Sequence, residues 1–151
     1  RMQPKLQVSH TGITVSSIER WRALFVGKLE FQMSETKQVS GEFIEKVTGV
    51  DGAVVNIAYL DLRDHQIELL EFVSPAKSEK SNLRPNQPGF KHFSFHVEDI
   101  ETAIGQLSKG GFNPINPSQS VPDGPRQGVR VVYLRDEDNV VLELQQAPGG
   151  T

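Results

Sequence analysis

At 151 residues, with no cysteine and a formal charge of −3, the chain has room for one ordinary domain or two half-sized units sharing a core. Disulfides, thiolate catalysis and sulfur-ligated metals are excluded, and a reducing cytoplasm is the expected location. The 16 Lys and Arg are scattered rather than striped, so nucleic acid is not an expected partner. No apolar run approaches the roughly 18 residues of a membrane-spanning helix, and no cleavable leader is expected.

In chain order, His10-Thr-Gly-Ile-Thr-Val alternates as a strand. Ser17 stands at an N-cap position before a helix over 18–26, which Gly27 stops. A second strand is expected over 31–39. Two more, carrying Tyr59-Leu60 and Ile67-Glu68-Leu69, are joined by the polar turn 61–64. Residues 74–88, rich in Ser, Lys and Pro, read as a linker. The order then repeats. His92-Phe-Ser-Phe-His-Val-Glu-Asp-Ile-Glu matches His10-Thr-Gly-Ile-Thr-Val-Ser-Ser-Ile-Glu at a shift of 82 positions, with His, Val, Ile and Glu coinciding. A helix over 100–109, a strand over 113–118 and a hairpin bearing Tyr133-Leu134 and Leu142-Glu143-Leu144 follow, with its turn at 136–139.

The fold class implied is α+β: a first βαβββ module at 6–73, the linker at 74–88 and a second βαβββ module at 89–146, one structural domain overall. Each module alone exposes an apolar sheet face. Side by side, the two are expected to curl into a cup-shaped mixed sheet with the helices outside.

Alternation of side chains along a strand sets His10, Glu68, His92 and Glu143 on the faces opposite Ile13 and Val15, Ile67 and Leu69, Phe93 and Phe95, and Leu142 and Leu144. The more apolar face suits the helices, leaving the His and Glu residues on the other. Two imidazoles and two carboxylates converging in one cup are costly to desolvate unless a cation offsets them. Taken singly, a strand His or Glu is most often solvated or hydrogen-bonded; their equivalent places in two copies of one unit favour a joint metal site. Such a mixed N/O set suits Zn²⁺, Ni²⁺, Co²⁺, Mn²⁺ or Fe²⁺ without choosing among them. His96, on the same face as His92, and Arg126 and Arg130, in or beside a Gly/Pro-rich stretch, are candidates for substrate contact. His65 is expected to be exposed in its turn, and Trp21 and Phe25 to be packing residues.

At these residues the chain resembles the vicinal oxygen chelate superfamily, which includes glyoxalase I, methylmalonyl-CoA epimerase, extradiol dioxygenases and bleomycin or fosfomycin resistance proteins. The matching motifs are His10-Thr-Gly-Ile-Thr-Val, Gln66-Ile-Glu-Leu-Leu-Glu-Phe, Lys91-His-Phe-Ser-Phe-His-Val and Val140-Val-Leu-Glu-Leu, spread from about Leu6 to Gln146. The resemblance implies paired βαβββ modules, a metal ion, a small-molecule substrate and a homodimer. His10, Glu68, His92 and Glu143 fall on the four metal positions of glyoxalase I. Where that enzyme holds glutathione through an Arg and an Asn, this chain has Thr14 and Phe72, so glutathione is not implied. The segments 123–128 and 135–138 likewise depart from the epimerase's local pattern.

The leading expectation is a metal-dependent lyase or isomerase that abstracts a proton beside a carbonyl, with Glu143 as base and Glu68 acting from the opposite side. The rivals are a ring-cleaving dioxygenase, distinguished by oxygen uptake with catechols, and a metal-independent resistance protein, whose ligand binding would survive chelation.

Overall fold

The computed structural model describes residues 5–75 and 79–149, and the chain falls into two compact units, Arg1–Ser78 and Glu79–Thr151. Unit 1 contains β1 (Thr11–Thr14), α1 (Ile18–Phe25), β2 (Gln32–Met33), β3 (Lys37–Ser40), α2 (Glu42–Thr48), β4 (Val54–Asp61) and β5 (Gln66–Ser74). Its strand order is β1-β5-β4-β2, with β3 also on β4. Only the β1–β5 pairing is parallel. Unit 2 contains β6 (Phe93–Val97), α3 (Ile100–Lys109), β7 (Asn113–Pro114), β8 (Gln119–Ser120), β9 (Arg130–Arg135) and β10 (Val141–Gln146). Its order is β6-β10-β9-β7, with β8 also on β9. With each broken edge strand counted once, both units run βαβββ, and unit 1 adds α2.

The helices form where caps and periodicity coincide. The Ser17 side chain accepts from the Arg20 N–H, and the Asp99 side chain accepts from the Glu101 and Thr102 N–H groups. Each helix is also tied to the last strand of its own sheet. Ile18 N donates to Glu71 Oε1 at 2.8 Å, and Ile100 N donates to Gln146 Oε1 at 2.7 Å. On α1, Ile18, Trp21, Leu24 and Phe25 are buried at helical spacing, and the Trp21 and Phe25 rings stack at 5.1 Å. The helix packs on β4 and β5, whose Leu60, Ile67 and Leu69 are fully buried. In unit 2, Ile100, Phe112, Leu134, Leu142 and Leu144 have the corresponding role.

Two differences from the sequence reading have local causes. The continuous edge strand expected over 31–39 is two short pieces, because the Ser34 hydroxyl accepts from the Tyr59 N–H at 2.9 Å where a backbone carbonyl would continue the ladder. The strand expected over 113–118 is interrupted around Pro114 and Pro117, residues with no N–H to give. The helix α2, which the sequence reading did not contain, ends at Gly49 in the left-handed conformation, φ 70°. It buries Ile44 in a cluster with Ala53 and Val55 that also takes in Ile57, Leu70 and Phe72.

Candidate metal half-sites

In each unit a histidine stands immediately before the parallel strand, and the glutamate belongs to the strand beside it. The residue after the histidine pairs with the residue before the glutamate: Thr11 with Ile67 in unit 1, Phe93 with Leu142 in unit 2. This common register brings His10 Nε2 to 3.5 Å from Glu68 Oε1, and His92 Nε2 to 3.6 Å from Glu143 Oε1. Both separations are too long for a hydrogen bond. They lie close to the spacing of two donors that share an ion, which at about 2.1 Å each and an angle of about 90–110° stand about 3.0–3.4 Å apart. The glutamate side chains are 18% and 12% exposed and the histidines 35% and 33%, so both pairs are half-sheltered yet reachable.

The second ring nitrogen of each histidine also has a neighbour. His10 Nδ1 lies 2.9 Å from the Ser9 hydroxyl, and His92 Nδ1 lies 3.5 Å from the Tyr133 hydroxyl. A proton on Nδ1, directed at those oxygens, leaves the Nε2 lone pair for a cation. The donor chemistry of each pair therefore fits a divalent ion. Among the described residues, no three His, Asp or Glu side chains gather in a group able to hold a metal; each unit supplies a pair.

A tyrosine stands across from each glutamate on the antiparallel neighbour, Tyr59 opposite Glu68 and Tyr133 opposite Glu143. The Tyr59 hydroxyl donates to Glu68 Oε2 at 2.7 Å. That bond, followed by burial and the carboxylate's charge, pushes the Tyr59 phenol above its ordinary value. Tyr133 is also raised, chiefly by burial and then by the charge on Glu143. Both tyrosines belong to the repeat visible in the sequence, where neither has an assigned role. Their recurrence opposite the glutamates was the available signal.

The remaining candidates divide. Arg126 Nη2 donates to Gln145 Oε1 at 2.5 Å, and Gln145 Nε2 donates to Glu143 Oε1 at 2.9 Å, so the loop arginine reaches the Glu143 carboxylate through one amide. His96 is exposed on β6, beside Gln145 in the strand register. Arg130 is engaged within its unit, donating to Glu101 Oε1 at 2.9 Å and to the Ser118 hydroxyl. His65, expected to be exposed, is half-buried with Nε2 2.8 Å from the Thr11 hydroxyl.

Comparison with known proteins extends the same picture. A curated relative, a 2-epi-5-epi-valiolone epimerase from Actinomyces sp, is 27% identical over 149 residues, covering 95% of this chain and 80% of its own length. The crystal structure of a glyoxalase family protein from Bacillus cereus is similar with a TM-score of 0.79 at 25% identity, covering 97% of both chains. A fosfomycin resistance protein, FosX, from Listeria monocytogenes, solved as a mutant with Mn(II) and 1S,2S-dihydroxypropylphosphonic acid, shares the fold with a TM-score of 0.59 at 14% identity, over 95% of this chain and 91% of that one. The family model of the glyoxalase/bleomycin resistance protein/dioxygenase superfamily matches residues 9–133. The chain belongs to that superfamily.

Proposed function

We propose that the chain is a divalent-metal-dependent isomerase or lyase that moves a proton beside the carbonyl of a small substrate, with His10, Glu68, His92 and Glu143 as the ligands of one ion. The observation that carries this reading is the repeated pair: Nε2 and Oε1 stand 3.5 Å apart in one unit and 3.6 Å apart in the other, at equivalent register positions. Among the described residues no group of three such donors forms, and two such pairs together would make the mixed four-donor set that Zn²⁺, Ni²⁺, Co²⁺, Mn²⁺ and Fe²⁺ accept. The FosX solved with Mn(II) and the relative named an epimerase are in keeping with this chemistry.

When bound, such an ion supplies Lewis-acid polarisation of a carbonyl and thereby acidifies the neighbouring C–H. Glu143 is assigned the abstraction: the C–H bond breaks, its electron pair shifts towards the carbonyl oxygen and the proton passes to the carboxylate. Gln145 and Arg126 hold Glu143 from the side, and Arg126 and His96 are the chain's candidates for substrate contact. Glu68 is assigned as the second acid–base group: for inversion at carbon it would take up a proton from solvent and deliver it to the face opposite the one Glu143 deprotonates. We also assign the chain a homodimeric assembly and a cytoplasmic location; among the described residues, no helix is long and apolar enough to cross a membrane.

The test is Glu143→Gln. The variant is expected to keep its metal to within about tenfold in affinity while losing about 10²–10⁴-fold of the catalysed proton exchange. Incorporation of solvent deuterium beside the carbonyl, followed by NMR across a panel of 2-oxo acids and CoA esters, reads the exchange. Elemental analysis reads the metal. A Gln variant that exchanges at the wild-type rate removes Glu143 from the role.

A further inference from the structure

We propose that Tyr59 is a positioning residue for the metal centre: its hydroxyl holds Glu68 Oε2 so that Glu68 presents Oε1 alone to the ion. The proposal rests on the metal reading above and adds a residue that the ligand set does not contain. The two units share a register, so their differences are informative. Tyr59 and Tyr133 occupy equivalent strand positions, each across from its glutamate. Yet Tyr59 bonds the carboxylate at 2.7 Å, whereas the Tyr133 hydroxyl lies 3.5 Å from the imidazole of His92. The topology therefore places a tyrosine beside each pair without dictating which member it holds.

The geometry of Glu68 is specific. The oxygen held by Tyr59 is Oε2, and the oxygen facing His10 Nε2 is Oε1. Among the described residues Oε1 of Glu68 takes no hydrogen bond, because Leu70, two residues on and equivalent to Gln145, brings no amide. Glu143 has the opposite arrangement, with its histidine-facing Oε1 accepting from Gln145 Nε2 at 2.9 Å.

Tyr59 is itself held. Its N–H donates to the Ser34 hydroxyl at 2.9 Å, Ser34 N donates back to the Tyr59 carbonyl at 2.9 Å, and its ring meets His10 edge-on at 6.1 Å. A phenol fixed in a sheet restricts the torsions of a flexible glutamate before any ion arrives, so less ordering remains to be done on binding. With Oε2 held by the phenol, Oε1 is the oxygen that Glu68 would offer to an ion. Groups that orient metal ligands in this way are typically worth about 10–100-fold in metal affinity.

The experiment uses the metal alone. Wild type, Tyr59→Phe and Tyr133→Phe are stripped with chelator and titrated with Mn²⁺, bound ion being read by calorimetry and by loss of the free-ion signal in electron paramagnetic resonance. Tyr59→Phe is expected to weaken Mn²⁺ about 10–100-fold. Tyr133→Phe, whose hydroxyl contact is long, is expected to weaken it by no more than about threefold. In a Glu68→Gln background, where the carboxylate is gone, Tyr59→Phe is expected to cost less than about twofold further. Thermal melts of the metal-free proteins check that removing one exposed oxygen leaves the fold intact. If wild type binds Mn²⁺ and Tyr59→Phe binds it equally well, or loses no more than Tyr133→Phe, the proposal is overturned while the metal reading stands. A wild-type chain that takes up no Mn²⁺ overturns both.

Discussion

A carboxylate near an imidazole can be an ion pair, a hydrogen bond or half of a metal site, and the distance between the atoms narrows these options. At 3.5 and 3.6 Å the two pairs lie within ion-pair distance, beyond the usual hydrogen-bond range and close to the spacing of two donors sharing an ion. Tyr59 and Tyr133 make the surroundings measurable, because they are the only two tyrosines in the chain. Both are held above the ordinary phenol range, Tyr59 first by its bond to Glu68 and Tyr133 first by burial. Replacing Glu68 by Gln removes the charged acceptor that favours protonated Tyr59, so one of the two titrations should move down and the other stay. Ultraviolet absorbance of the ionised phenol against pH reads this directly; two unmoved transitions would contradict the bond. The residue types of both pairs were legible in the sequence, since His and Glu recur at equivalent places. The roles of Tyr59 and Gln145 were not, because a hydrogen bond across two strands depends on register and rotamer.

At the scale of the element, each main helix begins on a side chain delivered by its own sheet. Glu71 and Gln146 stand at equivalent places in β5 and β10, and each accepts from the first N–H of its unit's helix. Gln146 is 6% exposed, so water cannot readily replace it. Gln146→Leu should strand the Ile100 N–H and cost about 1–3 kcal/mol of stability, measured as a shift of the urea midpoint. A change of a few tenths would mean that the helix end finds another acceptor. Periodicity and caps showed α1 and α3 in the sequence almost to the residue. They did not show α2, whose seven residues are too few for a clear period and whose one buried side chain is Ile44 in its first turn.

At the scale of the whole molecule, duplication supplies the same histidine–glutamate pair twice, and the proposed four-ligand ion would link the stability of both units to metal concentration. Saturation at about 100 times the dissociation constant stabilises a folded chain by about 2.7 kcal/mol, so adding Mn²⁺ or Zn²⁺ to chelated protein should raise its melting temperature by several degrees. His10→Ala and His92→Ala should each abolish that rise, although they lie in different units. If only one of them does so, the ion is held by a single unit and the four-ligand reading fails.

The repeated βαβββ plan, the two principal helices and the four metal-ligand candidates follow from the order of residues without reference to the fold. Alternation, capping and internal repetition are written in the order of residues and need no knowledge of neighbours. Tertiary structure alone decided where the edge strands break, which oxygen of Glu68 the Tyr59 hydroxyl holds, and that Arg126 reaches Glu143 through Gln145 while Arg130 is engaged by Glu101 and Ser118. Each of those depends on distances of a few ångströms between residues far apart in the chain, where one register step or one rotamer changes the partner.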